Sequence, residues 1–132
     1  MIYLDTSVAL AQLLAEDRAP PAELWSETLV SSRLLEYELW TRVNARGLGR
    51  THGEALREMV NSVALIELTP TVLARALDPF PVAVRTLDAI HLASADFLRT
   101  QHQTVEIATY DERLLSVARK MGFPVSRYAE DS

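Results

Sequence analysis

The sequence predicts a three-layer α/β/α sandwich around a central parallel sheet of four to five strands. Two observations carry this. Short apolar runs alternate along the chain with longer stretches of helical periodicity, the pattern of a parallel sheet covered on both faces. Gly, Pro and capping residues fall at the junctions between these stretches. A length of 132 residues suits one domain, 1–132, and no internal repeat or low-complexity segment divides it.

In order, MIYL reads as the first strand and Thr6 to Glu16 as a helix with Val8, Leu10, Ala11, Leu13 and Leu14 on its apolar face. RAPP breaks the chain and starts a short helix through Trp25. TLVS is a short strand, followed by a helix from about Arg33 to Arg46 that Gly47 stops. Thr51 and Glu54 have capping-box spacing for a helix through about Ala64. LIEL is a strand, TPTVLARAL a short helix with Pro70 in its first turn, and DPFPVAV a loop. A long helix starts at Thr86, VEIAT is the fourth strand, and the last long helix runs from Tyr110 to Met121 with Gly122 as its cap. FPVS is a candidate fifth strand, and Trp25 and Trp40 are expected in the core.

Composition narrows the chemistry. There is no cysteine, which excludes disulfides, thiolate zinc sites and a cysteine nucleophile. The longest uncharged stretch, Thr6 to Ala15, is far short of the roughly 20 residues a bilayer requires. No basic region precedes the N-terminal apolar run, so a cytoplasmic protein is expected. The net charge of −5 argues against a generic nucleic-acid binder but leaves room for a local grip through metal and arginine. Lys120 is the one lysine among 13 basic residues, so phosphate contacts would rest on arginine.

The carboxylates are the informative residues. In an open parallel sheet, ligands sit outside the carboxyl ends of the strands. Asp5 follows MIYL directly, and Asp111 follows VEIAT after one tyrosine. If the first and fourth strands are neighbours, both side chains face one crevice. Each also has a plain reading as a helix N-cap, worth about 1 kcal/mol. Thr109 and Glu112 show capping-box spacing, and a capping Thr109 would free Asp111.

Asp88 lies in the first turn of TLDAIHLASADF, where an acid complements the helix dipole. Asp96, roughly 80° further around that helix, is expected in solvent. Glu36 and Glu38 both fall in SSRLLEYELW. Glu38 lies next to the apolar face and four residues before Arg42, the spacing of a surface ion pair. Periodicity alone does not choose between the two glutamates. Taken as a set, acids at strand ends and helix starts with no lysine nearby repel each other unless a cation is present. Oxygen-only ligands suit Mg²⁺ or Mn²⁺, and that chemistry points to phosphodiester hydrolysis.

YLDTS, the S-x-x-x-x-x-E element of SRLLEYE, LDAIHLASA and TYDERL occur in this order over nearly the whole chain. Together they resemble the PIN-domain ribonucleases, and within these the VapC toxins of prokaryotic toxin–antitoxin pairs. The resemblance implies a PIN-like fold with a catalytic, metal-holding set of Asp5, Glu38, Asp88 and Asp111. It favours Glu38 over Glu36, because the family's glutamate precedes an apolar pair and a basic or small residue, as in ELWTR. Thr6 and Thr109 match supporting hydroxyl positions. The resemblance further implies a Mg²⁺- or Mn²⁺-dependent endoribonuclease that acts on RNA, forms a homodimer and is silenced by a cognate antitoxin.

No histidine is needed as a base in that chemistry, and His91 is expected as a partly buried helix residue beside the scattered His52 and His102. Arg42, Arg46, Arg50, Arg85 and Arg113 are candidate phosphate contacts. Rival readings fit less well. A receiver-type phosphoacceptor wants a lysine near a late strand's end, whereas Lys120 falls inside the last helix; a dehalogenase-type phosphatase wants Asp-x-Asp where this chain has Asp5-Thr6-Ser7. The stronger rival is an inactive PIN-like module binding RNA or a protein, against which the four acids count. Their mutual repulsion predicts that Asp5→Asn raises the melting temperature of metal-free protein.

Overall fold

The computed structural model describes residues 1–130. Four strands, β1 (Ile2–Leu4), β2 (Leu29–Ser32), β3 (Ala64–Ile66) and β4 (Glu106–Ala108), form a parallel sheet in the order β3-β2-β1-β4. Six α-helices surround it: α1 (Thr6–Leu13), α2 (Leu34–Ala45), α3 (Gly49–Asn61), α4 (Pro70–Leu77), α5 (Thr86–Thr100) and α6 (Glu112–Lys120). A 3₁₀ turn at Ala22–Ser26 is the short helix expected after RAPP.

Side chains alternate across a strand, and β1 uses both faces. Ile2 and Leu4 join the core with α1, α2 and α3, including Val8, Leu35, Leu39 and Leu56. Tyr3 points the other way, into a second core with Leu92 of α5 and Leu114 and Val117 of α6. This is the three-layer arrangement expected from the alternating pattern. Trp25 and Trp40 are partly buried against the first core.

β1 pairs with β2 on one side and with β4 on the other, in register Ile2↔Glu106, Tyr3↔Ile107 and Leu4↔Ala108. The chain therefore steps outward from β1 to β2 and β3, then returns to the opposite side of β1. That reversal is a topological switch point, where a crevice opens beyond the strand ends. Asp5 and the segment leading to Asp111 both emerge there, and a backbone bond from Asp5 N to Ala108 O (2.9 Å) ties them together.

Local differences have simple causes. FPVS does not form a fifth strand: Val125 makes one isolated bridge to Ile107, and Pro124 has no N–H to extend the ladder. The expected capping box at Thr51 does not form. α3 starts two residues earlier, at Gly49, and Thr51 Oγ1 instead donates to Leu48 O (3.2 Å). Gly47 (φ 68°) and Gly122 (φ 87°) supply the left-handed turns that end α2 and α6. Among the described residues, no helix is long and apolar enough to cross a membrane.

Candidate active site

Asp5, Glu38, Asp88 and Asp111 all line one open pocket of about 610 Å³ beyond the carboxyl ends of β1 and β4. A larger pocket of about 800 Å³, between α4 and the 78–85 loop, is lined mainly by apolar residues such as Leu73, Phe80 and Ile90 and holds none of these four acids.

Each acid owes its place to a different element. Asp5 caps α1 from the end of β1. Its Oδ2 accepts bonds from Ser7 Oγ (2.6 Å), Thr109 Oγ1 (2.7 Å) and, at 3.4 Å, Ser7 N. Cap and pocket-lining residue are thus one side chain, with every recorded bond on one oxygen. Asp111 caps α6: its Oδ1 accepts from Arg113 N (2.9 Å) and Leu114 N (3.2 Å). Thr109 is not the cap of α6; its hydroxyl donates to Asp5 and accepts from Asp111 N (3.0 Å). The capping box at Thr109–Glu112 is therefore displaced by a direct cap from Asp111, which lies next to α6 and uses only one oxygen for it.

Glu38 comes from the middle of α2, and its Oε1 accepts from Thr6 Oγ1 (2.8 Å) and His91 Nε2 (2.6 Å). Among the described residues, Glu38 makes no ion pair with Arg42; Glu36 faces Arg33 (3.6 Å) and does not line the pocket. Asp88, in the first turn of α5, is held among the described residues by Arg85 alone, whose Nε lies 3.3 Å from Asp88 Oδ2 while its Nη2 lies 3.4 Å from Asp111 Oδ2. Burial and the nearby carboxylates of Asp111 and Asp5 push the Asp88 pKa up, against the opposing Arg85 guanidinium. Among the described residues, no group of three His, Asp or Glu side chains is placed to hold a metal ion in the arrangement seen.

Of the candidate arginines, Arg42 and Arg85 line the pocket and Arg46, Arg50 and Arg113 do not. Asp96 is neither in the site nor in free solvent. It is partly buried between Arg75 Nε (2.8 Å) and Arg99 Nη2 (2.7 Å), because α4 and α5 both present an arginine to it.

His91 is the residue whose part the sequence reading missed. It is 2% exposed, and it joins the pocket to the core: Nε2 meets Glu38, and Nδ1 meets the hydroxyl of buried Tyr3 at 2.7 Å. Burial works to lower the His91 pKa, but the bond to Glu38 and the nearby acids outweigh it and raise it. Burial first, then the charge of Asp5, pushes the Tyr3 phenol far above its ordinary value, so it stays a neutral hydroxyl. The available signal was a histidine one turn before the small residues Ser94 and Ala95 of α5, which put it on a closely packed side of the helix.

The chain belongs to the PIN domain family, whose model matches residues 2–120. It is 34% identical to "Ribonuclease VapC47" of Mycobacterium tuberculosis (strain CDC 1551 / Oshkosh), over 93% of each chain. It is 30% identical to "Ribonuclease VapC46" of M. tuberculosis (strain ATCC 25618 / H37Rv), over 94% of this chain and 95% of that one. The parallel sheet with helices on both faces agrees with that family.

Proposed function

We propose that this protein is a divalent-metal-dependent endoribonuclease of the VapC type, the toxin of a toxin–antitoxin pair working in the cytoplasm. The observation that carries the reading is the convergence of Asp5, Glu38, Asp88 and Asp111 on one pocket at the switch point of the sheet. Likeness to two proteins named as ribonucleases supports the reaction class.

By donor chemistry the set suits Mg²⁺ or Mn²⁺, with side-chain shifts needed to bring three of the acids around one ion. All four ligands would be carboxylate oxygens, the pocket is open to water, and these ions keep several waters rather than requiring an all-protein cage. Among the described residues, Asp5 Oδ1 and Glu38 Oε2 accept no hydrogen bond, and the outer oxygens of Asp88 and Asp111 meet only Arg85. Each acid thus has an oxygen held by neither backbone nor hydroxyl. A bound divalent ion would supply charge against the phosphate's developing negative charge and make water acidic enough to act near neutral pH.

The remaining work falls to the chain. Thr6, Ser7 and Thr109 hold Asp5 and Glu38 in place through one oxygen each. Arg42 and Arg85 at the pocket contact RNA phosphates, which suits the planar, always-charged guanidinium. Tyr37, 63% exposed at the same pocket, offers an aromatic face to an unpaired base. A cognate antitoxin covers this site, and the active form is a homodimer, as the resemblance to VapC toxins implies.

The test is incubation of purified protein with total cellular RNA and Mn²⁺, beside an Asp88→Asn variant and an EDTA control. Discrete fragments from wild type alone are expected. RNA bound but uncut in every lane would replace this reading with an inactive RNA-binding module.

A further inference from the structure

The best-built feature that this reading leaves idle is the chain of contacts from the core to the pocket. Tyr3, His91 and Glu38 come from β1, α5 and α2, and the two bonds that join them measure 2.7 and 2.6 Å. Tyr3 is 1% exposed and His91 2% exposed, so neither ring can exchange its partner for water. A buried polar pair of this kind costs stability unless it is satisfied at every atom. Here it is satisfied, and it ends on a proposed metal ligand.

We propose that Tyr3 and His91 are positioning residues for Glu38: His91 donates from Nε2 to Glu38 Oε1, Tyr3 fixes the ring through Nδ1, and Oε2 is left for a divalent cation. The direction of the bonds follows from donor and acceptor inventory. A carboxylate only accepts, so Nε2 carries the proton. In the neutral imidazole Nδ1 is then the acceptor, and the Tyr3 hydroxyl is its donor.

Thr6 Oγ1 makes the second bond to the same oxygen (2.8 Å) and lies 3.4 Å from His91 Nε2. Oε1 is therefore doubly occupied, and the carboxylate plane has little freedom to turn. Outer partners that orient a ligand in this way usually matter to metal affinity by about 10–100-fold. The inference rests on the proposed metal-binding role of Glu38.

The test is Mn²⁺ titration by calorimetry on the RNA-free protein, with Glu38→Gln as the ligand control. Tyr3→Phe removes one hydroxyl and keeps the ring, so it reads positioning with little change in packing. Tyr3→Phe and His91→Phe are each expected to weaken Mn²⁺ binding by about 10–100-fold. His91→Gln, whose amide N–H can reach Glu38, is expected to recover most of the loss. Mn²⁺ binding unchanged in both Phe variants but lost in Glu38→Gln would overturn the positioning role and leave the metal site standing. Equal losses in His91→Gln and His91→Phe would overturn the hydrogen-bond argument in favour of ring packing. Failure of the wild type itself to bind Mn²⁺ would overturn the metal reading and this inference with it.

A second measurement needs no variant of the relay to fold. Nitrogen-15 spectra of histidine-labelled wild type, taken at a pH where the ring is neutral, should show His91 protonated at Nε2. A proton on Nδ1 instead would overturn the proposal.

Discussion

Arg85 bridges Asp88 and Asp111, reaching both carboxylates from its position just before α5, at 3.3 and 3.4 Å. Among the described residues, the four pocket acids meet no other cation apart from His91 when protonated. The side chain is 65% exposed, so the contacts are weak ones. Arg85 thus offsets the repulsion between two acids in metal-free protein and must yield one or both of them when a cation arrives. Arg85→Ala is expected to tighten Mn²⁺ binding by about 1.5- to 5-fold, the equivalent of an exposed ion pair. Calorimetry with the variant checks this; weaker binding would mean that Arg85 supports the site and does not compete for it.

Asp5 separates two contributions that usually come mixed. As the cap of α1 it requires an acceptor, and Asn serves there as well as Asp. As one acid among four it raises the repulsion. Asp5→Asn is therefore expected to keep or raise the melting temperature in EDTA, whereas Asp5→Ala lowers stability by about 1–2 kcal/mol through loss of the cap. Thermal denaturation of both variants decides it, and equal falls would show that the charge itself is needed for the Ser7 and Thr109 bonds.

Tyr37 lines the pocket but is not one of its acids. Tyr37→Ala should raise KM for an unpaired RNA substrate while leaving kcat near wild type, a loss of about 1–3 kcal/mol if one base stacks there. Steady-state kinetics on a short oligonucleotide containing the mapped cleavage site reads the split. A fall in kcat with KM unchanged would place Tyr37 in the transition state instead.

Asp96 gives a pH prediction away from the pocket. Burial alone would raise its pKa, but Arg75 and Arg99 outweigh it and hold the carboxyl below the ordinary range. A depressed acid stabilises the fold above its unfolded pKa of about 3.9, and that contribution fades as pH falls through the folded value. Asp96→Asn should therefore cost about 1–2 kcal/mol at pH 7, the loss of charge-assisted bonds at a partly exposed site. Denaturant melts at pH 7 and near pH 3 should show the gap closing at the lower pH. A gap independent of pH would assign the loss to packing.

The layered fold was legible because alternation and junction residues are local properties of the chain. The adjacency of β1 and β4 had to be assumed, yet it alone brings Asp5 and Asp111 to one crevice. Glu38 could not be told from Glu36 by periodicity. Both sit on α2 with similar flanks; the family resemblance favoured Glu38, and in the structure it is Glu38 that Thr6 and His91 approach. Thr109 misled because capping-box spacing is satisfied by sequence alone, while the hydroxyl was already engaged by Asp5 across the sheet. The part played by His91 was hidden for the same reason: its partners stand 53 and 88 positions away.

A Mn²⁺-soaked crystal tests the central claim most directly, through its anomalous difference map. The account predicts a peak in the pocket among Asp5, Glu38, Asp88 and Asp111, with the Arg85 guanidinium moved off at least one carboxylate. A pocket without such a peak at saturating Mn²⁺, with Arg85 still bridging Asp88 and Asp111, would contradict it.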